Sequence, residues 1–132
     1  MNHKEILGGV QECLARVLDI RPDEVHEADR IIGDLGADSL DLLDLVFQLE
    51  QKFKVTIALR EMERQAQDRL NGRPVEIDGV YTPDALAELR RALPEIPAEE
   101  LPEGLTTADL PRRFRVATMV NLVAGLLEKK NE

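Results

Sequence analysis

The sequence predicts an all-α fold, a small bundle of amphipathic helices, and three observations carry that prediction. Aromatic residues make up only 3% of the 132 residues and tryptophan is absent. Packing therefore falls to Leu, Val, Ile and Ala, which suit helices better than a β-sandwich. Apolar residues recur at helical spacing in well separated stretches. Proline, glycine and asparagine punctuate the chain between them.

The first stretch spans residues 4–18. Ile6, Val10, Leu14 and Val17 follow one another at four, four and three residues, and Leu7 and Leu18 broaden the stripe. Cys13 borders it and reads as a small packing residue, because no neighbouring motif supplies a base. Pro22 breaks the pattern. Residues 20–37 then form a long connection with apolar anchors at Val25, Ile31, Ile32 and Leu35. A long loop with repeated anchors reads as ordered.

The second helix is expected from Ser39 to Phe53, with Asp38 or Ser39 capping its first amides. Leu40, Leu43, Phe47 and Glu50 lie along one side. Leu42, Leu45, Val46, Leu49 and Phe53 cover most of the rest. Asp41 and Asp44 share the early turns, at the positive end of the helix dipole.

Beyond residue 58 the pattern changes. Leu59, Met62, Ala66 and Leu70 suggest a helix stopped by Asn71-Gly72. Residues 75–81 alternate around Asp78-Gly79, which marks a small hairpin. Thr82-Pro83 opens a helix striped by Leu86, Leu89 and Leu93 and closed by Pro94. Residues 94–104, with three prolines among acids, read as irregular chain or a single helical turn. A short helix is expected at 106–114, interrupted near Pro111. The closing helix spans 115–129, with Val116, Met119, Val120, Val123, Leu126 and Leu127 on a broad apolar face.

Seventeen bases against 26 acids give a net charge of −9. That excludes a nucleic-acid partner, because phosphate binding needs a basic footprint. Basic patches on other proteins are the electrostatic complement, although composition alone favours a charge that merely keeps the chain soluble. The charge is uneven: residues 1–58 and 59–110 each carry 12 acids and 6 bases, whereas 111–132 carry 2 acids and 5 bases. The single cysteine rules out an internal disulfide and fits a reducing compartment. The start of the chain lacks the features of a signal peptide, and no segment reaches the length of a membrane span. The expectation is a cytoplasmic monomer.

The segment that carries chemistry runs from Asp34 to Phe53. Ser39 follows a glycine-containing loop and opens a helix, so its hydroxyl should be exposed. A phosphate ester there would face free helix amides and the positive dipole end. Leu40 should sit near the surface beside acids, a plausible docking feature. Taken alone, these features favour a plain N-cap.

The wording of the segment resembles the modification site of acyl carrier proteins. Asp38-Ser39-Leu40 matches the family's D-S-L triplet and Asp34-Leu35-Gly36-Ala37 its preceding loop. The opening helix, the Arg21-Pro22-Asp23-Glu24-Val25 turn and the closing helix also resemble the family's layout. The resemblance covers about residues 3–58 and 105–128. It implies an acyl-carrier-like four-helix bundle. Typical members pass quickly from the second helix to a short third one, so residues 59–104 depart from that layout and read as an inserted helical subdomain with the small β-hairpin. The insertion is too short to build an independent core easily, so it is expected to pack on the bundle within one domain, 1–132. Its two functional readings are a cover for the acyl cavity and a second docking face, and the bland alternative is a tolerated insertion with no role.

The resemblance further implies that Ser39 receives 4′-phosphopantetheine from coenzyme A through a separate phosphopantetheinyl transferase that uses a divalent metal. The arm's thiol would hold acyl groups as thioesters for acyl-loading and acyl-processing enzymes, such as synthases or acyltransferases, in fatty acid, specialised lipid or polyketide biosynthesis. Asp38, Leu40, Asp44 and Phe47 would form part of the partner surface, with Phe47 equally readable as core. Family members are often richer in acids late in this helix. Here Gln48, Gln51 and Lys52 dilute that face and leave Asp38, Asp41, Asp44 and Glu50.

The rival reading is an acidic helical adaptor with no prosthetic group. An enzyme has little support: no nucleophile–base set appears, and His3 and His26 lack metal-ligand spacing. No catalytic residue and no metal site is expected.

Overall fold

The computed structural model describes residues 1–57, 64 and 67–130. The expected stripe at Leu59, Met62 and Ala66 lies outside the described residues. The chain is mainly helical and divides into two compact units, Met1–Ile57 with Phe114–Glu132, and Ala58–Arg113.

In the first unit, helix α1 spans His3–Leu18. The Asn2 side chain accepts from the Glu5 amide at 2.8 Å, and Asp19 ends the helix in the left-handed conformation. Helix α2 spans Ser39–Phe53. Ile6, Val10, Cys13 and Leu14 of α1 are buried, as are Leu42, Leu45, Val46, Leu49 and Phe53 of α2. The two helices pack closely because Gly9 has no side chain. A Cβ there would lie 2.4 Å from Phe53 Cζ.

The long connection is ordered, as its anchors predict. Pro22–Glu24 form one 3-10 turn. Val25 and Ile31 are fully buried, and the Gln11 side-chain amide donates to the Val25 carbonyl at 2.8 Å. Backbone bonds tie this loop to the start of the last helix. Ile31 N–H donates to Phe114 O, Val116 N–H to Asp29 O and Ala117 N–H to Glu27 O, at 3.0–3.1 Å. The loop's backbone groups are thereby satisfied without regular structure.

The second unit is built around a shorter helix. Leu70 is buried, and Asn71 and Gly72 then both take positive φ. Strand β1 (Glu76–Ile77) pairs antiparallel with β2 (Val80–Tyr81), with Glu76 opposite Tyr81 and Ile77 opposite Val80. Asp78 and Gly79 at the turn have φ of 53° and 80°, the geometry that an Asp-Gly hairpin turn favours. Helix α3 spans Pro83–Ala92, with the Thr82 hydroxyl accepting from the Ala85 amide and Pro83 in the first turn. Leu86, Leu89 and Leu93 are buried along its predicted stripe, joined by Ile96, Leu101 and Leu105 from irregular chain and by Leu110. Arg90 donates to the Leu101 carbonyl at 2.8 Å and Arg113 to the Glu100 carbonyl at 3.0 Å, which pins that chain in place.

Residues 94–104 contain one 3-10 turn, Ala98–Glu100. The short helix expected at 106–114 is a four-residue 3-10 segment, Leu110–Arg113, within the second unit. Pro111 has no amide to extend it backward, and Thr106 already accepts from Asp109 N–H through both its carbonyl and its hydroxyl. Helix α4 (Val116–Lys130) closes the first unit, burying Val116, Met119, Val120 and Val123. Among the described residues no helix is long and apolar enough to cross a membrane.

Candidate functional site

The site begins with the pin that precedes it. Ala37 is buried and its amide donates to the Ile31 carbonyl at 3.2 Å. The chain then turns outward, and Asp38, Ser39 and Leu40 are all exposed. Asp38 is the N-cap of α2 and forms a reciprocal capping box with Asp41. The Asp38 carboxylate accepts from the Asp41 amide at 2.8 Å, and the Asp41 carboxylate accepts from the Asp38 amide at 3.0 Å. Two of the four orphan amides of the helix start are thus satisfied. The other two belong to Ser39 and Leu40, the first and second helical positions. Sequence reading left the cap open between Asp38 and Ser39, and the capping box assigns it to Asp38. Ser39 therefore has no capping duty, and its hydroxyl stands free at the dipole's positive end. A Cβ placed on Gly36 would meet nothing within 4 Å, so no atom crowds the loop at that point.

Leu40, Leu43 and Phe47 are 74%, 61% and 59% exposed. They follow at three and four residues, so they line one face of α2. Phe47, equally readable as core from the sequence, faces solvent. Asp44 is exposed beside them and accepts a long 3.4 Å contact from the Gln48 amide. The predicted surface residues Asp38, Leu40, Asp44 and Phe47 thus share the exposed face of the first two turns and the turn after. Leu43 belongs to this face too. Its spacing from Leu40 and Phe47 is the sequence signal for it, although the expected partner surface does not include it.

The later half of α2 is different. Glu50, counted among the surface acids from sequence, is half-buried, and its carboxylate accepts from the Ile57 amide at 2.8 Å. It closes the turn after the helix. Lys52 donates to Glu12 of α1 at 2.9 Å, and that hydrogen bond holds the Glu12 carboxyl below its ordinary range. Exposed acid on this helix is therefore concentrated in its first half, at Asp38 and Asp44.

Cys13 offers no competing chemistry. It is buried among the α1 core residues, and burial pushes its thiol up, against weaker opposing pulls from Lys52 and Arg16. Little reactive thiolate forms near neutrality. Among the described residues no group of three or more His, Cys, Asp or Glu side chains could hold a metal.

The family described as "Phosphopantetheine attachment site" matches residues 9–67, which contain Ser39 and the whole of α2. An acyl carrier protein of Wolinella succinogenes is 41% identical over 61 residues, covering 46% of this chain and 80% of that protein. One from Campylobacter fetus is 46% identical over 55 residues, 42% of this chain and 71% of that one. One from Thermotoga maritima is 36% identical over 63 residues, 48% and 78% respectively. The chain belongs to the acyl carrier protein family. As a family member it is a carrier and not an enzyme, and its cofactor is covalently attached 4′-phosphopantetheine. No solved structure matches the chain.

The start of α2 fits such a group. A phosphodiester on an exposed helix-start serine would meet the two remaining amides and the helix dipole. The flanking carboxylates of Asp38 and Asp41 repel the same charge.

Proposed function

We propose that Ser39 is the attachment point, and that the arm's terminal thiol carries acyl groups as thioesters between partner enzymes of fatty acid, specialised lipid or polyketide assembly. The observation that carries this reading is the capping box: Asp38 and Asp41 satisfy the helix start between themselves and leave the exposed Ser39 hydroxyl unengaged. In the loading step that hydroxyl forms a phosphoester with the phosphopantetheine phosphate of coenzyme A. The pyrophosphate bond breaks, and adenosine 3′,5′-bisphosphate leaves. The protein's own contribution is position. A tethered thioester converts each encounter with a docked enzyme into an intramolecular event at high effective concentration. Leu40, Leu43 and Phe47 supply apolar contact, while Asp38, Asp41 and Asp44 steer basic partner surfaces toward it.

Intact mass after incubation with coenzyme A and a promiscuous phosphopantetheinyl transferase tests the assignment. The chain should gain one phosphopantetheine and Ser39→Ala none. A gain that survives Ser39→Ala places the arm elsewhere. No gain in either leaves an acidic adaptor as the better account.

A further inference from the structure

Apart from Met1 and the α2 face, the exposed large apolar side chains among the described residues are Ile77 and Val80, at 61% and 37%. They sit directly opposite each other across the hairpin. Both side chains therefore project on one face, with Cβ atoms roughly 5 Å apart. The opposite face is formed by the pair Glu76 and Tyr81, and Tyr81 is buried. Preference for β-branched residues explains neither: threonine would serve a solvated hairpin face as well.

The hairpin is held firmly. Tyr81 N–H donates to Leu105 O at 3.0 Å, Thr107 N–H to Gly79 O at 2.9 Å and Thr82 N–H to Val75 O at 3.0 Å. The Thr82 hydroxyl donates to Pro74 O at 2.9 Å. A patch ordered in advance loses little freedom when a partner covers it.

Its charge is one-sided. Asp78 in the turn is exposed beside the apolar pair, and Glu76, next along the strand with its side chain on the other face, is exposed too. Residues 74–89 contain no Lys or Arg, and neither do residues 92–111, the stretch that pairs with β2 through Leu105–Thr107. That second stretch adds Glu95, Glu99, Glu100, Glu103 and Asp109. Arg73, the cation before the hairpin, is engaged by Asp84 at 3.0 Å and by the Leu70 carbonyl. Such a surface disfavours a second copy of itself and any anionic ligand, and it complements a basic one.

We infer that the Ile77–Val80 face is a second docking point, seated by an acyl-processing enzyme that offers an apolar depression rimmed with Lys and Arg. This rests on the carrier function proposed above. Its chemistry repeats that of the α2 face, an apolar centre among acids, on a different unit of the chain.

The test uses the full holo chain and purified acyltransferases and synthases of the source organism, taken one at a time. The photocrosslinker p-benzoylphenylalanine at position 77 should trap at least one enzyme that also accepts the thioester. For that enzyme, Ile77→Ser with Val80→Ser should raise KM for the carrier about tenfold, with kcat unchanged. Glu76→Gln with Asp78→Asn keeps the turn and should raise KM at low salt only. Persistence of the Tyr81 and Leu105 amide protection confirms that the hairpin survives each change. Crosslinking only to a second copy overturns the proposal, as does a wild-type KM with every enzyme that uses the carrier. The same preparations are weighed for the arm. A chain that gains it yet transfers regardless of the hairpin overturns the docking point alone, whereas an unsubstituted chain that never gains it overturns both readings.

Discussion

The two units expose the same chemistry by different means. In Met1–Ile57 with Phe114–Glu132, apolar residues on opposite sides of one helix are sorted by period. Leu42, Leu45 and Leu49 go inward, while Leu40, Leu43 and Phe47 go outward. Among the described residues of Ala58–Arg113, the ten-residue helix α3 supplies part of the core and short elements and irregular chain supply more, and the exposed apolar pair is set by a two-residue turn. The bundle is helix packed on helix, whereas in the second unit α3 is bordered by the pinned chain of residues 94–110. A rigid helix interface cannot relax around a missing or added atom as readily as loops can, and this should show in how each unit answers substitution.

The largest effect should come from matched core truncations. Leu49→Ala and Leu89→Ala each remove one buried leucine side chain. The first should cost about 3–5 kcal/mol, and the second nearer 2 kcal/mol because surrounding loops can collapse into the space. Amide exchange resolved by residue checks this, with loosening centred on the unit that carries the change. Equal loosening of both units by either variant would break the comparison.

Two glycines sharpen it. Gly9→Ala puts a Cβ against the Phe53 ring and should cost about 1–3 kcal/mol, largely recovered by adding Phe53→Leu. Gly79→Ala meets no atom within 4 Å, but φ is +80° there, so it should cost about 1–2 kcal/mol in backbone strain. No neighbouring change should recover that loss, whereas Gly79→Asn should soften it. Denaturant midpoints of the single and double variants separate crowding from strain.

The smallest effect is electrostatic. Asp44→Lys should leave the midpoint within error and slow modification about two- to fivefold at low salt, converging on wild type at high salt. Unchanged rates at low salt would remove Asp44 from the steering surface.

By itself the sequence determined the helices and the modification motif. Period and punctuation are local: Ile6 to Val17, Asp38-Ser39-Leu40, Thr82-Pro83 and Asp78-Gly79 each specify their own backbone within a few residues. Tertiary structure decided what those residues do. Whether Asp38 or Ser39 capped α2 depended on the reciprocal bond with Asp41. Phe47 was core or surface according to what packed against α2, and period alone cannot say which face meets a neighbour. Glu50 looked like a surface acid until the turn after α2 brought the Ile57 amide onto it. The helix expected at 106–114 is instead the 3-10 segment Leu110–Arg113, and the prolines of 94–104 mark irregular chain without saying where it packs. The order of both segments comes from long-range bonds such as Arg90 to Leu101 and Arg113 to Glu100, and contacts between residues distant in the chain leave no mark on local spacing.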